Sequence, residues 1–425
     1  MFKKILVVII IILIILSILL GIWFFFFRSE PTNVDRIPDA GNFFPITTTF
    51  EPSTETPFSG TSTPSAEFIP SLRQISKVPT SGFISFEKES TSTDLFIGEE
   101  GQEENEVFTE TIFRYIERAT GHLFEAKENT LVQERLSNTT IPKIQDAIFT
   151  PDGEMVILRY LGTNNETIQT YFAELKTEIS TSTVGKIEEI TKLEGTFFNS
   201  NIQDINIFGN NIFYAIEGFN GASVYKRPLS GSIEDESVEV SLPLKEVVIQ
   251  NTKKGTLAIT TKADSRVPGF LFFNDTNDKI LGDRNGLTTL VSPSGNKVLY
   301  SESRGGEIDL FVLDLESDET TNLSIKTLPE KCVWSTINEE VIYCGAPNNF
   351  VRASYPQAWY QSLISFNDNI WKINVENQTY DNLLQANTEV DDDFDLIKLQ
   401  LSLEEEYLLF INKNDLTLWS LDILN

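Results

Sequence analysis

The chain contains a single histidine, His122, within the run Ala119-Thr120-Gly121-His122. A lone imidazole rules out multi-histidine metal sites and leaves any Ser–His–acid triad one choice of base. Beside a glycine, it reads as an exposed residue flanking a hairpin turn. HExxH, GxSxG, a phosphate-binding P-loop, the dinucleotide GxGxxG and CxxC are all missing. That argues against the common metallopeptidase, hydrolase, nucleotide and dithiol classes, and no cofactor or metal is expected. Glycoside cleavage needs only two carboxylates, which are free to lie far apart in sequence. With 62 acidic residues in the chain, a carboxylate-dependent glycan hydrolase or lyase stays open as the alternative to a non-enzymatic role.

Two acidic runs invite a calcium reading. Asp275-Thr276-Asn277-Asp278 begins like an EF-hand loop but lacks its glycine and terminal glutamate, and Asp391-Asp392-Asp393 with Asp395 has oxygens without a defining spacing. Both read as solvated loops. The two cysteines, Cys332 and Cys344, flank a turn near residue 338. Antiparallel pairing about that turn sets them opposite one another, at a non-hydrogen-bonded position with Cα atoms about 4.5 Å apart. A disulfide in an oxidising compartment and two small buried thiols both fit. A bridge would join strands already paired and add modest stability.

The richest binding chemistry lies in Ala346–Asp368, APNNFVRASYPQAWYQSLISFND, where Phe350, Arg352, Tyr355, Trp359, Tyr360 and Phe366 fall within 17 residues. Trp, Tyr and Arg dominate binding hot spots. The alternative is a lid whose aromatics pack back onto the fold, and one loop is able to do both.

Positioning these residues requires rigid elements, and the texture from residue 72 onward is short strands punctuated by turns. Phe149-Thr150-Pro151-Asp152-Gly153 leads into EMVILRY, and Val291-Ser292-Pro293-Ser294-Gly295 into NKVLYSE. Pro presets φ at one turn position and Gly accepts positive φ at another, so each is a hairpin. Weaker copies start at residues 208, 251, 335 and 402, so the gaps between successive starts are 58, 43, 41, 43 and 67. Three lie near 42 residues, the length of one four-stranded propeller blade. A third strand follows each hairpin, as in YFAELK (171–176) and DLFVLDLE (309–316).

This strand–(Ser/Thr)-Pro-x-Gly–strand–Asp-Leu pattern, clearest at 149–176 and 291–316, resembles the WD40-like repeats of TolB-type propellers. The Gly-His and Trp-Asp signature of true WD40 repeats is missing. The resemblance implies an all-β propeller over about residues 75–425 and says little of activity. Seven units follow: 79–136, 143–193, 200–240, 244–283, 286–326, 328–386 and 393–425, with six or eight blades left open. The last unit is one strand short, so Leu72–Lys77 is expected to complete it and close the ring.

Ahead of the propeller, Ile5 to Phe27 is a 23-residue run without a charge, bracketed by Lys3, Lys4 and Arg28. As a helix it would span about 35 Å, enough for a hydrocarbon core of about 30 Å. Its end in Trp23-Phe24-Phe25-Phe26-Phe27 lacks the small residues of a cleavage site. The expectation is a retained single-pass anchor: stub 1–4, transmembrane helix 5–27, Ser/Thr/Pro-rich stalk 28–71 and propeller 72–425. Within the stalk, 15 of the 22 residues 45–66 are Ser, Thr or Pro, a composition that buries too little to order. The slight basic bias of the terminus places it inside and the propeller outside the cytoplasm. Formal net charge is -29, which repels nucleic acid and favours cationic partners. The reading is a monomeric, extracytoplasmic binding module for a protein, peptide or saccharide, or a structural element of the cell envelope.

Overall fold

The structure, a computed structural model, describes residues 69–91, 107–162, 167–181, 187–198, 202–274, 279–385 and 393–424. The anchor run 5–27, stalk residues 28–68 and Asp275–Asp278 lie outside the described residues. Among those described, no helix is long and apolar enough to cross a membrane.

Seven four-stranded antiparallel sheets make up the described chain, and they form a β-propeller. Blades 1 to 6 occupy residues 80–135, 144–197, 202–242, 247–285, 288–322 and 332–384, each in simple up-and-down order. Blade 7 takes three strands from 396–422 and its fourth from Leu72–Gln74. Leu72 pairs with Leu421, Arg73 with Ser420 and Gln74 with Trp419, as the sequence reading expected. Arg73 also donates to the carbonyls of Lys127, Glu128 and Thr130 in blade 1, tying the closing strand across the seam.

An apolar sheet face must be covered to be stable, and here the faces of each blade meet the neighbouring blades. One apolar cluster fills each of the seven blade interfaces, including the seam, where Ile75, Phe113 and Tyr115 meet Leu409, Ile411 and Leu418. Alternation sends successive residues to opposite faces: in Lys297–Arg304, Val298 and Tyr300 enter the blade 4–5 core and Leu299 the blade 5–6 core.

The turn motif has a local cause. Thr150, Thr252, Ser292, Ser335 and Ser402 are all buried at the start of the first hairpin of their blades. Thr150, Ser292 and Ser402 each accept the N–H of the residue five further on, at 3.0 Å. Gly153, Gly255 and Gly295 then take positive φ. In blade 7 that place is held by Glu405 at φ 56°, a strained setting for a side chain. Its carboxylate offsets the cost by accepting from the Ser335 hydroxyl and from the hydroxyl and N–H of Thr336 in blade 6.

Candidate functional site

Because strands alternate, second-to-third strand loops emerge on the face where the innermost strands begin, called here the entry face. The longest of the described loops on this face, residues 348–367 of blade 6, forms a strap across it. Its course is fixed by backbone contacts: the Ala353 N–H donates to Gly306 O at 3.0 Å in blade 5. The Ser265 N–H of blade 4 donates to Gln357 Oε1 at 3.1 Å. Gly286 lets the strap pass, since a Cβ there would lie 2.9 Å from Tyr355 O at a backbone φ of +65°. The strap carries one short helix, α1 (Gln357–Tyr360).

Beneath the strap lies a charged cluster excluded from water. Lys331, Asp368 and Asp395 have side chains at 0% exposure. The Lys331 ammonium sits 2.6 Å from Asp368 Oδ2, bonds Asp395 Oδ1, and donates to Leu396 O at 3.1 Å. The strap closes onto Asp395: the Trp359 indole N–H reaches its two oxygens at 3.0 and 2.9 Å, the Ser365 hydroxyl at 3.0 Å, and the Phe366 N–H at 3.2 Å. The Trp359 and Phe366 rings also lie 5.1 and 4.9 Å from Lys331 Nζ, within cation–π range. Burial pushes the Asp368 carboxyl up to about 6, with the Asp395 charge adding and Lys331 opposing. Blades 6 and 7 and the strap are thus joined through one ion cluster.

The six insertion residues therefore divide. Tyr355, Trp359 and Phe366 are 0–4% exposed and, with Ile308 and Leu328, form a separate apolar cluster. Phe350 is half-buried against Tyr355, with ring centroids 4.9 Å apart. Only Arg352 and Tyr360 of the six face solvent. Arg352 pairs with Glu307, and Tyr360 donates its hydroxyl to Glu330. The expectation of six residues on one contact surface is corrected accordingly: covering a ring removes it from water at a gain of about 2–3 kcal/mol, and Asp395 supplies the one polar partner the indole needs.

A cavity of about 460 Å³, lined by residues of blades 3, 4 and 5 together with Glu330 and Tyr360, opens beside the strap. Val247, Val248, Leu287 and Leu290 give it aliphatic walls, and Asp204, Glu246, Glu330 and Lys262 supply its charges. Lys262 is engaged with Glu246 at 3.2 Å. Burial raises Asp204, against the Ile249 N–H, which donates to it at 2.7 Å, and the nearby Arg159. Burial likewise raises Glu330, opposed by Tyr360, Thr288 and the Lys331 charge; Oε1 takes the Tyr360 hydroxyl, while the buried Oε2 has no donor at hydrogen-bonding geometry.

The remaining predicted residues are placed as follows. Cys332 and Cys344 are register partners joined by a disulfide with Cα atoms 4.1 Å apart, buried in the blade 5–6 core. His122 is partly buried rather than exposed, 3.2 Å from the Thr140 hydroxyl and 3.9 Å from Glu117. Asp395, expected in a solvated loop, is instead buried because it answers Lys331. No group of three or more His, Cys, Asp or Glu able to hold a metal occurs among the described residues. Sequence reasoning did not find Lys331, Asp368, Glu330 or Asp204, each of which is an ordinary charge in its local context. The one available signal was that Asp368 opens an apolar strand and Lys331 directly precedes one.

No family model and no curated protein matches this sequence. Solved structures it resembles include hydrazine synthase of Kuenenia stuttgartiensis, at 12% identity and TM-score 0.42, over 65% of this chain and 76% of that one. Another is the Cps50 (Swd1) β-propeller domain of Myceliophteria thermophila, at 10% and 0.42, over 73% and 93%. A third is an oligogalacturonate lyase of Vibrio parahaemolyticus, at 9% and 0.43, over 83% and 93%. At these distances the likenesses bear on neither activity nor ligand.

Proposed function

We propose that this chain is a membrane-anchored, extracytoplasmic β-propeller that binds a protein, peptide or saccharide through the cavity and strap of its entry face. The observation that carries the reading is the cavity itself. Its size falls within the range of ligand pockets, its walls are aliphatic, and a few polar groups converge on it. The strap supports it by holding Tyr360 against the cavity from a rigid base. The Ser/Thr-Pro-x-Gly turns support assignment of the repeats to the WD40-like, TolB-type kind. The charge-free run 5–27, with its flanking lysines, supports the anchor.

A glycan array and a peptide library, screened with residues 66–425, test the binding role. That fragment is the compact unit and holds all seven blades with the closing strand. The expected result is a specific ligand weakened by Tyr360→Ala; capture of nothing by the wild type overturns the reading. Carbonate-resistant membrane association of the full chain, lost on deletion of 5–27, tests the anchor.

One observation favours a second reading. Asp204 and Glu330 line one cavity and both carboxyls are raised by burial, a feature of carboxylate-dependent glycan cleavage. Release of products from an oligosaccharide panel, abolished by Glu330→Gln and by Asp204→Asn, would establish it.

A further inference from the structure

We propose that the cavity receives a lysine side chain presented by a peptide partner, its aliphatic stem lying against Val247, Val248, Leu287 and Leu290 and its ammonium meeting Glu330 Oε2. The inference rests on the binding reading and names the ligand class. Three observations support it. The first is the under-satisfied oxygen: Glu330 Oε1 already accepts from Tyr360, whereas Oε2 is buried with no donor at hydrogen-bonding geometry, the Thr288 hydroxyl near the carboxyl being engaged with Ser301 at 2.8 Å. A carboxylate oxygen in that state is satisfied best by a charged donor.

The second is charge. Neither nearby ammonium bonds Glu330: Lys262 is spent on Glu246, and Lys331, whose charge acts on Glu330 from a distance, turns into the buried cluster with Asp368 and Asp395. The chain as a whole carries a formal charge of -29, which draws a cationic partner toward it.

The third sets a lysine apart from a sugar. A sugar needs free donors as well as acceptors, whereas the two cavity-lining atoms left without a partner, Glu330 Oε2 and Gln203 Oε1, are both acceptors, and most other polar groups in the wall satisfy one another. Gln250 donates to Thr289 O at 2.8 Å and accepts the Val291 N–H at 2.9 Å. The Thr260 and Thr289 hydroxyls lie 2.6 Å apart, and Thr288 bonds Ser301 at 2.8 Å. What the wall leaves open is aliphatic surface with two acceptors, the Glu330 carboxylate and the Gln203 amide oxygen, the complement of a butylammonium chain.

The test is titration of the chain with Gly-Gly-Lys-Gly-Gly and its norleucine, acetyl-lysine and glutamate counterparts, followed by ligand-observed NMR, beside free n-butylamine and the glycan array. Lysine should bind at least about tenfold more tightly than norleucine, the worth of one charge-assisted hydrogen bond. Glu330→Gln should remove that preference while leaving norleucine binding unchanged, with an unaltered melting curve showing that the fold is intact. Tyr360→Phe, which frees the second oxygen, should retain the preference. The peptide should exceed n-butylamine; equal binding overturns the peptide source. Norleucine equal to lysine overturns the cationic class yet leaves a binding module. Glycan capture without peptide binding overturns the lysine assignment in favour of a saccharide. If no probe binds, both readings fall.

Discussion

Replacing Lys331 with methionine removes the cation that touches both buried carboxylates, leaving Lys413 3.9 Å from Asp395 and Asp368 without a partner cation among the described residues, while conserving most of the side-chain volume. Asp368 Oδ2 lies 2.6 Å from the ammonium, Asp395 Oδ1 bonds it too, and none of the three side chains is exposed. Stranding a buried charge by deleting its partner costs about 3–5 kcal/mol. Two like charges then share a dry site, and the less costly escape is protonation of Asp368, already raised to about 6. The folded variant would hold that proton near neutrality, whereas the unfolded chain gives it up above about pH 4. Its stability therefore recovers as pH falls, by up to about 1.4 kcal/mol per pH unit. The assay is urea and thermal unfolding of residues 66–425 at pH 7 and pH 5. At pH 7 the Lys331→Met midpoint should fall by about 5 °C, given the unfolding entropy of a domain this size. At pH 5 the deficit should shrink by about 1.4 kcal/mol, because the wild type, with Asp368 at about 6, also gains stability over part of that range. A variant that unfolds with the wild type at both pH values would refute the ion-cluster argument.

Further expectations concern the same framework. In the wild type the Asp368 carboxyl is raised in the folded state, so its contribution is fully present below about pH 4 and is lost as pH rises through about 6; Asp368→Asn should flatten that part of the stability profile, and a profile unchanged between pH 4 and 6 would contradict it. Thiol titration of unfolded, unreduced protein should find no free cysteine, and two after reduction. Cys332→Ala/Cys344→Ala should lower stability by no more than about 3 kcal/mol, since the bridge closes a short loop between paired strands. Starting the chain at Val78 removes Leu72–Gln74 and exposes the edge of blade 7; the shortened protein should melt earlier and self-associate in gel filtration, and an unchanged monomer would contradict the seam.

Much of the architecture was legible because each blade repeats one local solution. A buried Ser or Thr, a Pro and a positive-φ Gly spell the hairpin at 150 and 292, and the turn at 251 keeps the Thr and Gly without the Pro, so it was legible as a weaker copy. The fourth strand of blade 7 was legible by subtraction, since the final unit lacked one. The site was not. Lys331, Asp368 and Asp395 are up to 64 residues apart and meet only once blades 6 and 7 are stacked and the strap is laid down. Composition marked Trp359 and Phe366 as contact residues, yet an aromatic ring suits a partner's surface and an interior ledge equally well. The deciding fact was the acceptor under Trp359, which sequence periodicity does not reveal. Glu405 shows the same limit, since a residue at a glycine position becomes intelligible only through its bonds to Ser335 and Thr336.

The central claim is that the cavity lined by Tyr360 is where this propeller meets its partner. Val248 lines that cavity and is 41% exposed, so a larger side chain there fills the space without disturbing a core. The most direct measurement is the dissociation constant of the best peptide or glycan ligand for wild type and Val248→Trp, with melting curves matched. The account predicts at least about a tenfold weakening in the filled variant. Equal affinity in the two proteins would contradict it and move the binding site elsewhere on the ring.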